Sequence, residues 1–510
     1  MSLINAAYRF YNRTLLKELD RSFRDPFFFQ EDIFKHLITR GKYTAFGKEH
    51  RLEEIHTIRD FQQSVPMRDY NAMEPYIKQM LRGTKNVLWD KPTTWFALSS
   101  GTSSARSKFI PMNKENLKEC HYKSMLTMLS HYVRTYPQSR IFQGKSLVLG
   151  GSRQFDKDVE TQCSYGDLSA FLTLNTPAPA RLFTTPPRKI GLIPHFETKT
   201  DIVSRMAVRQ NVVSFSGVPS WNLLLMRKIL EISGKDNLSD LWPNMELFMH
   251  GGVSFEPYRV HFQKLFPSPN MRYMETYNAS EGFFAFQTDL SDPGMFLLPN
   301  VRVFYEFVPL EKWEEAENGT YTDFLTLDQV VTDKPYALVI STNSGLWRYS
   351  IGDTVRFTQL HPHKLVITGR TQLFINTFGE ELMIENAEKA LAQTCQETGA
   401  TVFEYTVAPV FMGDKQKGAH QWLIEFESLP SDLEHFVSVL DKQLMKTNSD
   451  YQAKRLDTGA MGPPQLVVMK KNSFYKWMAQ NNRLGGQNKV PRLWSDRKYA
   501  EGLLKINESI

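Results

Sequence analysis

Cysteine is scarce in this chain. Cys120, Cys163 and Cys395 are odd in number and far apart. No CxxC or Cys/His spacing offers a zinc site, and no disulfide framework can be read from them. Long apolar runs are missing as well: nothing approaches the roughly 18 apolar residues that a membrane span requires. The first residues, MSLINAAYRFYNRTLLKELDRSF, are amphipathic and charged and lack the apolar core of a signal peptide. These absences favour a reducing cytoplasm and no membrane partner. Charge of one sign is also in short supply, at +6 over 510 residues. The densest basic groups, Lys415–Lys417 and Lys470–Lys471, are short. Without a basic stripe interleaved with aromatics, nucleic acid is not an expected partner. No internal repeat is present.

The composition that remains is that of a folded protein: 41% hydrophobic, 13% aromatic and 23% charged. Length alone predicts roughly two to four domains. Apolar positions recur at three and four in Ala6–Leu16 and Phe27–Leu37, so the first ninety residues read as helical. Asn113–Tyr136 predicts one long helix. Short apolar runs at 146–151, 212–219, 246–252 and 272–277 each end in small residues or a turn. Helical stretches such as Trp221–Ile232 and Pro257–Phe266 lie between them, and Pro257 suits a first helical position. Apolar strand, glycine, then helix is the pattern of an α/β fold with a buried sheet. Residues 301–309 and 336–342 predict further strands. After Arg370 the texture changes. Val402–Val410 and Gln421–Glu427 read as strands joined by a polar loop, a helix begins at the capping box SDLE at Ser431, and a strand follows at 465–470. This part predicts a small α+β domain.

One stretch stands apart from the rest. Leu98–Met112, LSSGTSSARSKFIPM, gathers Ser, Thr and Gly around Gly101 and then adds Lys108. Uncovered backbone N–H groups plus a cation suit a loop that wraps phosphate, although such clusters are also ordinary turn chemistry. GxxxxGK[ST] is absent, so a kinase-type P-loop is disfavoured. MHGGV at 249–253 ends a strand with a glycine pair, where backbone can approach a flat ligand. TYNASEG at 276–282 offers an aromatic, a hydroxyl and a carboxylate, a set suited to phosphate and Mg²⁺. Read by itself, it is a helix N-cap with Glu281 exposed. WRYSIGD at 347–353 places Asp353 after glycine at a turn, where its two oxygens can accept two ribose hydroxyls. Gly369–Arg370 follows the strand KLVIT, and GGQNKVPR at 485–492 carries Lys489.

Each segment is weak taken singly. In this order and spacing they resemble the acyl-adenylate-forming superfamily, the firefly luciferase-like enzymes. SSGTSSARSKFIP, GVPSW at 217–221, RYSIGD and the late GQNKVPR are most similar to the acyl-acid amido synthetases of the auxin-responsive (Gretchen Hagen) family, in a short bacterial-style version. The resemblance runs from about residue 5 to 505. It implies a large α/β adenylation domain over 1–375, binding ATP and an acyl acid, and a small mobile α+β domain over 376–510. It implies a ligase that makes acyl-AMP from a small carboxylic acid and then an amide with an amino acid, using ATP and Mg²⁺. By position, Ser99, Ser100, Gly101, Thr102, Ser103 and Lys108 would form the phosphate loop. Gly251 and Gly252 would flank adenine. Tyr277 and Ser280 would contact adenine and phosphate, Glu281 would hold Mg²⁺, and Asp353 the ribose with Arg370 nearby. Lys489 would reach in from the small domain. The acyl pocket would lie near 120–130 and 217–225. Ala105, where a second loop glycine is common, and Trp347, where tyrosine is more usual, depart from the family pattern. An acyl-CoA ligase, or a silent nucleotide-binding protein, stays open at this point.

Overall fold

The computed structural model describes the chain apart from residues 1–2, 100–107, 152, 155–162, 254, 372–374, 376–379, 381, 412–417, 457–460, 482, 485–488, 495 and 510. It divides into two compact units. The first joins Met1–Val253 to Leu265–Val366, and the second joins Ser254–Lys264 to Ile367–Ile510. No helix among the described residues is long and apolar enough to cross a membrane. The three cysteines are unpaired.

The first unit opens with the helices Leu3–Tyr11, Arg13–Arg24 and Pro26–Gly41. Asp25 starts the third: its side chain accepts from the Phe28 N–H, and Pro26 sets the first turn. That helix is fastened to strand Val303–Pro309 through one side chain. Gln30 donates to the carbonyls of Pro299 and Val303, both at 2.9 Å, and accepts from the Tyr305 N–H at 2.9 Å.

An 11-stranded mixed sheet follows from that edge. Its order is Val303–Pro309, Pro335–Thr342, Tyr349–Leu360, His363–Arg370, Met295–Leu297, Phe283–Phe286, Arg272–Asn278, Leu247–Gly251, Val212–Gly217, Lys145–Val148 and Thr184–Thr185. The last five run parallel and the others antiparallel. The parallel half carries the strands predicted near 146, 212, 246 and 272, of which Val212–Gly217 and Leu247–Gly251 are the most buried. A second sheet of four strands includes the hairpin Trp95–Ser99 and Lys108–Met112.

The predicted helix Asn113–Tyr136 is not uniform. An α-turn at Lys114–Asn116, capped by Asn113, runs into a π-helical turn at Leu117–Tyr122 before α-geometry resumes over Lys123–Thr135.

The second unit holds a three-stranded sheet. Thr401–Val410 pairs antiparallel with Ala419–Ser428, which pairs parallel with Gln465–Met469. Tyr405, Trp422, Phe436, Leu440, Leu444 and Leu391 form its core. The helix expected from the Ser431 box spans Leu433–Thr447 and is capped by Asp432, which accepts from the Glu434 and His435 N–H groups. The helix Glu256–Leu265 belongs almost wholly to this unit. Arg492 donates to its Tyr258 hydroxyl at 2.7 Å and pairs with the Glu404 carboxylate, and His261 Nε2 lies 3.0 Å from the Val402 carbonyl oxygen.

Candidate active site

The glycine pair at 251–252 is there because backbone comes too close for a side chain. Leu247–Gly251 and Arg272–Asn278 run parallel with Gly251 opposite Thr276. A Cβ on Gly251 would sit 2.4 Å from the Thr276 carbonyl oxygen. Gly252 has φ +84°, the left-handed region that glycine enters without steric cost. The Thr276 hydroxyl donates to the His250 carbonyl at 3.0 Å and closes the strand ends together. These are the carboxyl ends of parallel strands, where ligands bind in open α/β sheets.

Asp353 reaches the same place by a different device. It lies not at a turn, as the sequence suggests, but inside the long strand Tyr349–Leu360. Ala337 pairs with Thr354 and Val339 with Ser350, so Leu338 alone faces Ile351, Gly352 and Asp353. Such a bulge bends the strand and re-aims a side chain. Gly352, at φ +84°, supplies the bend. The Tyr277 hydroxyl then donates to Asp353 Oδ2 at 2.7 Å. Tyr277 is buried, and its ring packs edge-on against Phe284 at 5.0 Å. Two residues 76 positions apart thus form one unit at the sheet's end.

Ser280 and Glu281 sit in the turn that follows. TYNASEG is no helix cap: it is the tip of a hairpin between Arg272–Asn278 and Phe283–Phe286. Ala279 and Gly282 exchange both backbone hydrogen bonds, at 2.8 and 3.3 Å. Glu281 is therefore held inward, 5% exposed, with Ser280 beside it at 6%. Among the described residues no group of three or more His, Cys, Asp or Glu could form a metal cage. One inward carboxylate beside a hydroxyl fits Mg²⁺ better than a caged ion. Magnesium is commonly held by one or two carboxylates, with phosphate and water in the other positions.

Ser100–Ser103, with Gly101 and Thr102, lie outside the described residues, as does Ala105. Their frame is described: Ser99 and Lys108 are the last register pair of an antiparallel hairpin. The Lys108 ammonium lies 5.8 Å from the Tyr70 ring centroid, and the Tyr70 hydroxyl accepts from the Phe109 N–H at 2.9 Å. Arg370 ends the strand His363–Arg370, half-buried, in the second unit. Lys489 is also half-buried there. Its segment is tied down three residues later. The Val407 N–H donates to the Arg492 carbonyl at 2.8 Å, the Trp494 N–H donates back to Val407 at 3.0 Å, and the buried Arg492 guanidinium binds Glu404 and the Tyr405 carbonyl.

Two members of WRYSIGD are core rather than site. Trp347 is fully buried, donates from Nε1 to the Leu88 carbonyl at 3.0 Å and stacks on Phe46. Arg348 is buried against Glu306. The sequence signal for that pair was a lone glutamate in the apolar run VFYEFVP, since a buried charge needs a partner.

Comparison with known proteins places this chain in a family. The GH3 family N-terminal domain model matches residues 15–190 and 152–271, the GH3 family central domain 295–370, and the GH3 family C-terminal domain 385–498. The chain is 25% identical over 561 residues to a jasmonoyl–L-amino acid synthetase of Oryza sativa subsp. japonica, covering 94% of each chain. It is 24% identical over 564 residues to an indole-3-acetic acid-amido synthetase of Arabidopsis thaliana, covering 94% of this chain and 91% of that one. The fold is similar to that of an acyl acid amido synthetase in complex with 2,4-DB. That match has a TM-score of 0.78 at 17% identity, covering 98% of this chain and 96% of the other. It is also similar to the fold of a 2-hydroxyisobutyryl-CoA ligase with 2-HIB-AMP, at TM-score 0.59 and 12% identity, covering 94% and 92%. With N-terminal, central and C-terminal models matched in order along almost its whole length, this chain belongs to the GH3 family.

Proposed function

We propose that this protein activates a small carboxylic acid with ATP, releasing pyrophosphate, and transfers the acyl group from the adenylate to an amino acid nitrogen. The observation that carries this is the Tyr277–Asp353 hydrogen bond at the sheet end, with Gly251 and Gly252 opening the backbone beside it. An aromatic plane and a carboxylate fixed to each other suit the adenine and ribose of one nucleotide. The relatives, jasmonoyl–L-amino acid and indole-3-acetic acid-amido synthetases, favour an acid and an amino acid as substrates. Residues 1–375 act as the adenylation domain and 376–510 as the small mobile one, in a cytoplasmic enzyme.

In this reading Asp353 accepts from the ribose hydroxyls, and Tyr277 holds the carboxylate in place and contacts adenine, which Gly251 and Gly252 flank. Arg370 stands near the ribose. Ser99, Ser100, Gly101, Thr102, Ser103 and Lys108 wrap the outer phosphates, and Ser280 contacts phosphate. Glu281 is the carboxylate that would hold Mg²⁺, an ion that screens phosphate charge when bound. The acid's carboxylate oxygen attacks the α-phosphorus, and both reactants are anions. The protein's task is to orient the attack in line and offset that repulsion with Lys108, Lys489 and backbone N–H groups.

The test is ATP–pyrophosphate exchange over a panel of carboxylic acids with Mg²⁺, followed by product analysis with an amino acid pool or coenzyme A. Absence of exchange with every acid would leave a nucleotide-binding module. A thioester without amide would make the protein an acyl-CoA ligase.

Two residue-level outcomes follow. Hydrogen bonds to a charged group are worth about 1.5–3 kcal/mol each. Asp353→Ala should therefore weaken ATP binding by at least about tenfold with the fold intact. Calorimetry showing equal affinity of the native protein for ATP and 2′,3′-dideoxy-ATP would remove Asp353 from the ribose. Glu281→Gln keeps the shape of the turn but removes the negative charge. It should raise the Mg²⁺ concentration for half-maximal exchange by about tenfold or more, by analogy with the 10–100-fold losses seen when even outer-shell groups are removed. An unchanged Mg²⁺ curve would take Glu281 out of the metal site.

A further inference from the structure

His121 is the strangest polar group of the first unit. It lies in the π-helical turn Leu117–Tyr122 and is 1% exposed. Among the described residues neither ring nitrogen makes a well-formed hydrogen bond, although the Asn278 side chain lies close by. Among the described residues no other buried side chain has two such atoms. An unmet buried donor or acceptor costs about 1–3 kcal/mol, so a ring with both nitrogens unmet calls for a reason. Single π-turns inside α-helices are frequent at functional sites.

The turn's neighbours say what it faces. Cys120 Sγ accepts from the Phe283 N–H at 3.4 Å, and Ser124 Oγ donates to the Phe283 carbonyl at 3.1 Å. A Cβ on Gly282 would lie 3.2 Å from Cys120 Sγ. The π-turn is thus packed directly against the hairpin that carries Ser280 and Glu281. The Asn278 side chain is close enough to act on the imidazole, opposing the burial that pushes its pKa down to about 4. The ring is neutral, with one nitrogen to donate and one to accept. Of the cations along this helix, Lys118 pairs with Glu119, Lys123 with Glu18 and Arg134 with Asp20, and Lys114 is exposed.

We infer that His121 hydrogen-bonds the carboxyl group of the acyl substrate. The inference rests on the adenylation reading and adds a residue to it. The imidazole N–H would donate to the oxygen that becomes the acyl carbonyl oxygen and leave the other oxygen to attack phosphorus. The empty hydrogen-bonding capacity of the free protein is then the substrate's place. A neutral donor also holds the carboxylate without quenching its charge, which the attack requires.

The experiment is ATP–pyrophosphate exchange with native protein, His121→Leu and His121→Gln. The acid is the best of a panel that includes indole-3-acetate, jasmonate and 2,4-DB. With leucine, KM for the acid should rise about tenfold or more, as for loss of a buried hydrogen bond, while KM for ATP moves less than about twofold. Glutamine, which keeps a donor and an acceptor, should recover most of the acid KM. The free leucine variant should melt at or above the native temperature, because two unmet buried atoms are gone. An unchanged acid KM, equal rises in both KM values, or a lower melting point would overturn the inference and mark His121 as packing. Those outcomes leave the adenylation reading standing. A native protein that exchanges with no acid overturns that reading, and the role of His121 falls with it.

Discussion

Replacing Arg348 by methionine is expected to cost about 3–5 kcal/mol of stability, the usual penalty for removing one partner of a buried ion pair. Arg348 is 2% exposed and Glu306 is fully buried. The guanidinium Nε donates to Glu306 at 3.0 Å, and another nitrogen donates to the carbonyls of Gln62 and Val65 at 2.9 and 2.6 Å. Gln62 donates in turn to the other Glu306 oxygen at 3.1 Å. Phe324 lies under the guanidinium at 4.3 Å. Methionine fills much of the volume but leaves the Glu306 carboxylate and two backbone carbonyls without their donor. A single domain is commonly stable by only about 5–15 kcal/mol, so the loss would be a large share. Urea melts followed by the near-ultraviolet signal of the first unit read it directly. The double change Glu306→Leu, Arg348→Met should recover most of the loss, because no charge is then stranded. A single variant within about 1 kcal/mol of native would mean that water or a local shift replaces the arginine, as happens at accessible pairs.

That arginine sits inside a motif which, as sequence, points to nucleotide. The contrast shows what was legible. Gly251 and Gly252 could be read because glycine is demanded by a close backbone approach, and the strand before them is a plain apolar run. Lone residue types such as Tyr277 and Asp353 could be named as candidates. Their meeting could not, since it depends on a bulge opposite Leu338 that leaves no period in the sequence. The burial of Glu281 was misread from the local string because the strand Phe283–Phe286, which turns it inward, was missed; FFAF is as apolar as any helix core. Tyr258 shows another limit. Helix Glu256–Leu265 looks like any crossover of the parallel sheet, yet its hydrogen bonds go to Glu404 and Arg492, about 150 and 230 residues further on. The π-turn around His121 was equally silent, because an extra residue in a turn leaves the apolar spacing nearly unchanged.

Lys489→Ala should slow formation of acyl-AMP by about 10²–10³-fold, the usual cost of removing one preorganised group that offsets developing charge. Two features set the expectation. The residue lies in a segment anchored to strand Thr401–Val410 by Arg492 and by the hydrogen bonds of Val407, so its position is fixed within the second unit. Lysine also carries a compact charge on a flexible stem, suited to being brought to phosphorus for one step. A loop lysine without that role would change stability by no more than about 0.5 kcal/mol and activity hardly at all. The variant should therefore keep its melting behaviour and its affinity for ATP. Attack of an amino acid on pre-formed acyl-AMP should also be spared, because phosphate is then only the leaving group and no second anion has to approach it. Supplying synthetic acyl-AMP separates the two half-reactions. Loss confined to adenylation assigns Lys489 to the first step. Equal loss in both would place it in AMP departure or in closing the site generally. No loss in either would make it a solvated surface residue and leave Lys108 as the lysine left to offset the phosphate charge.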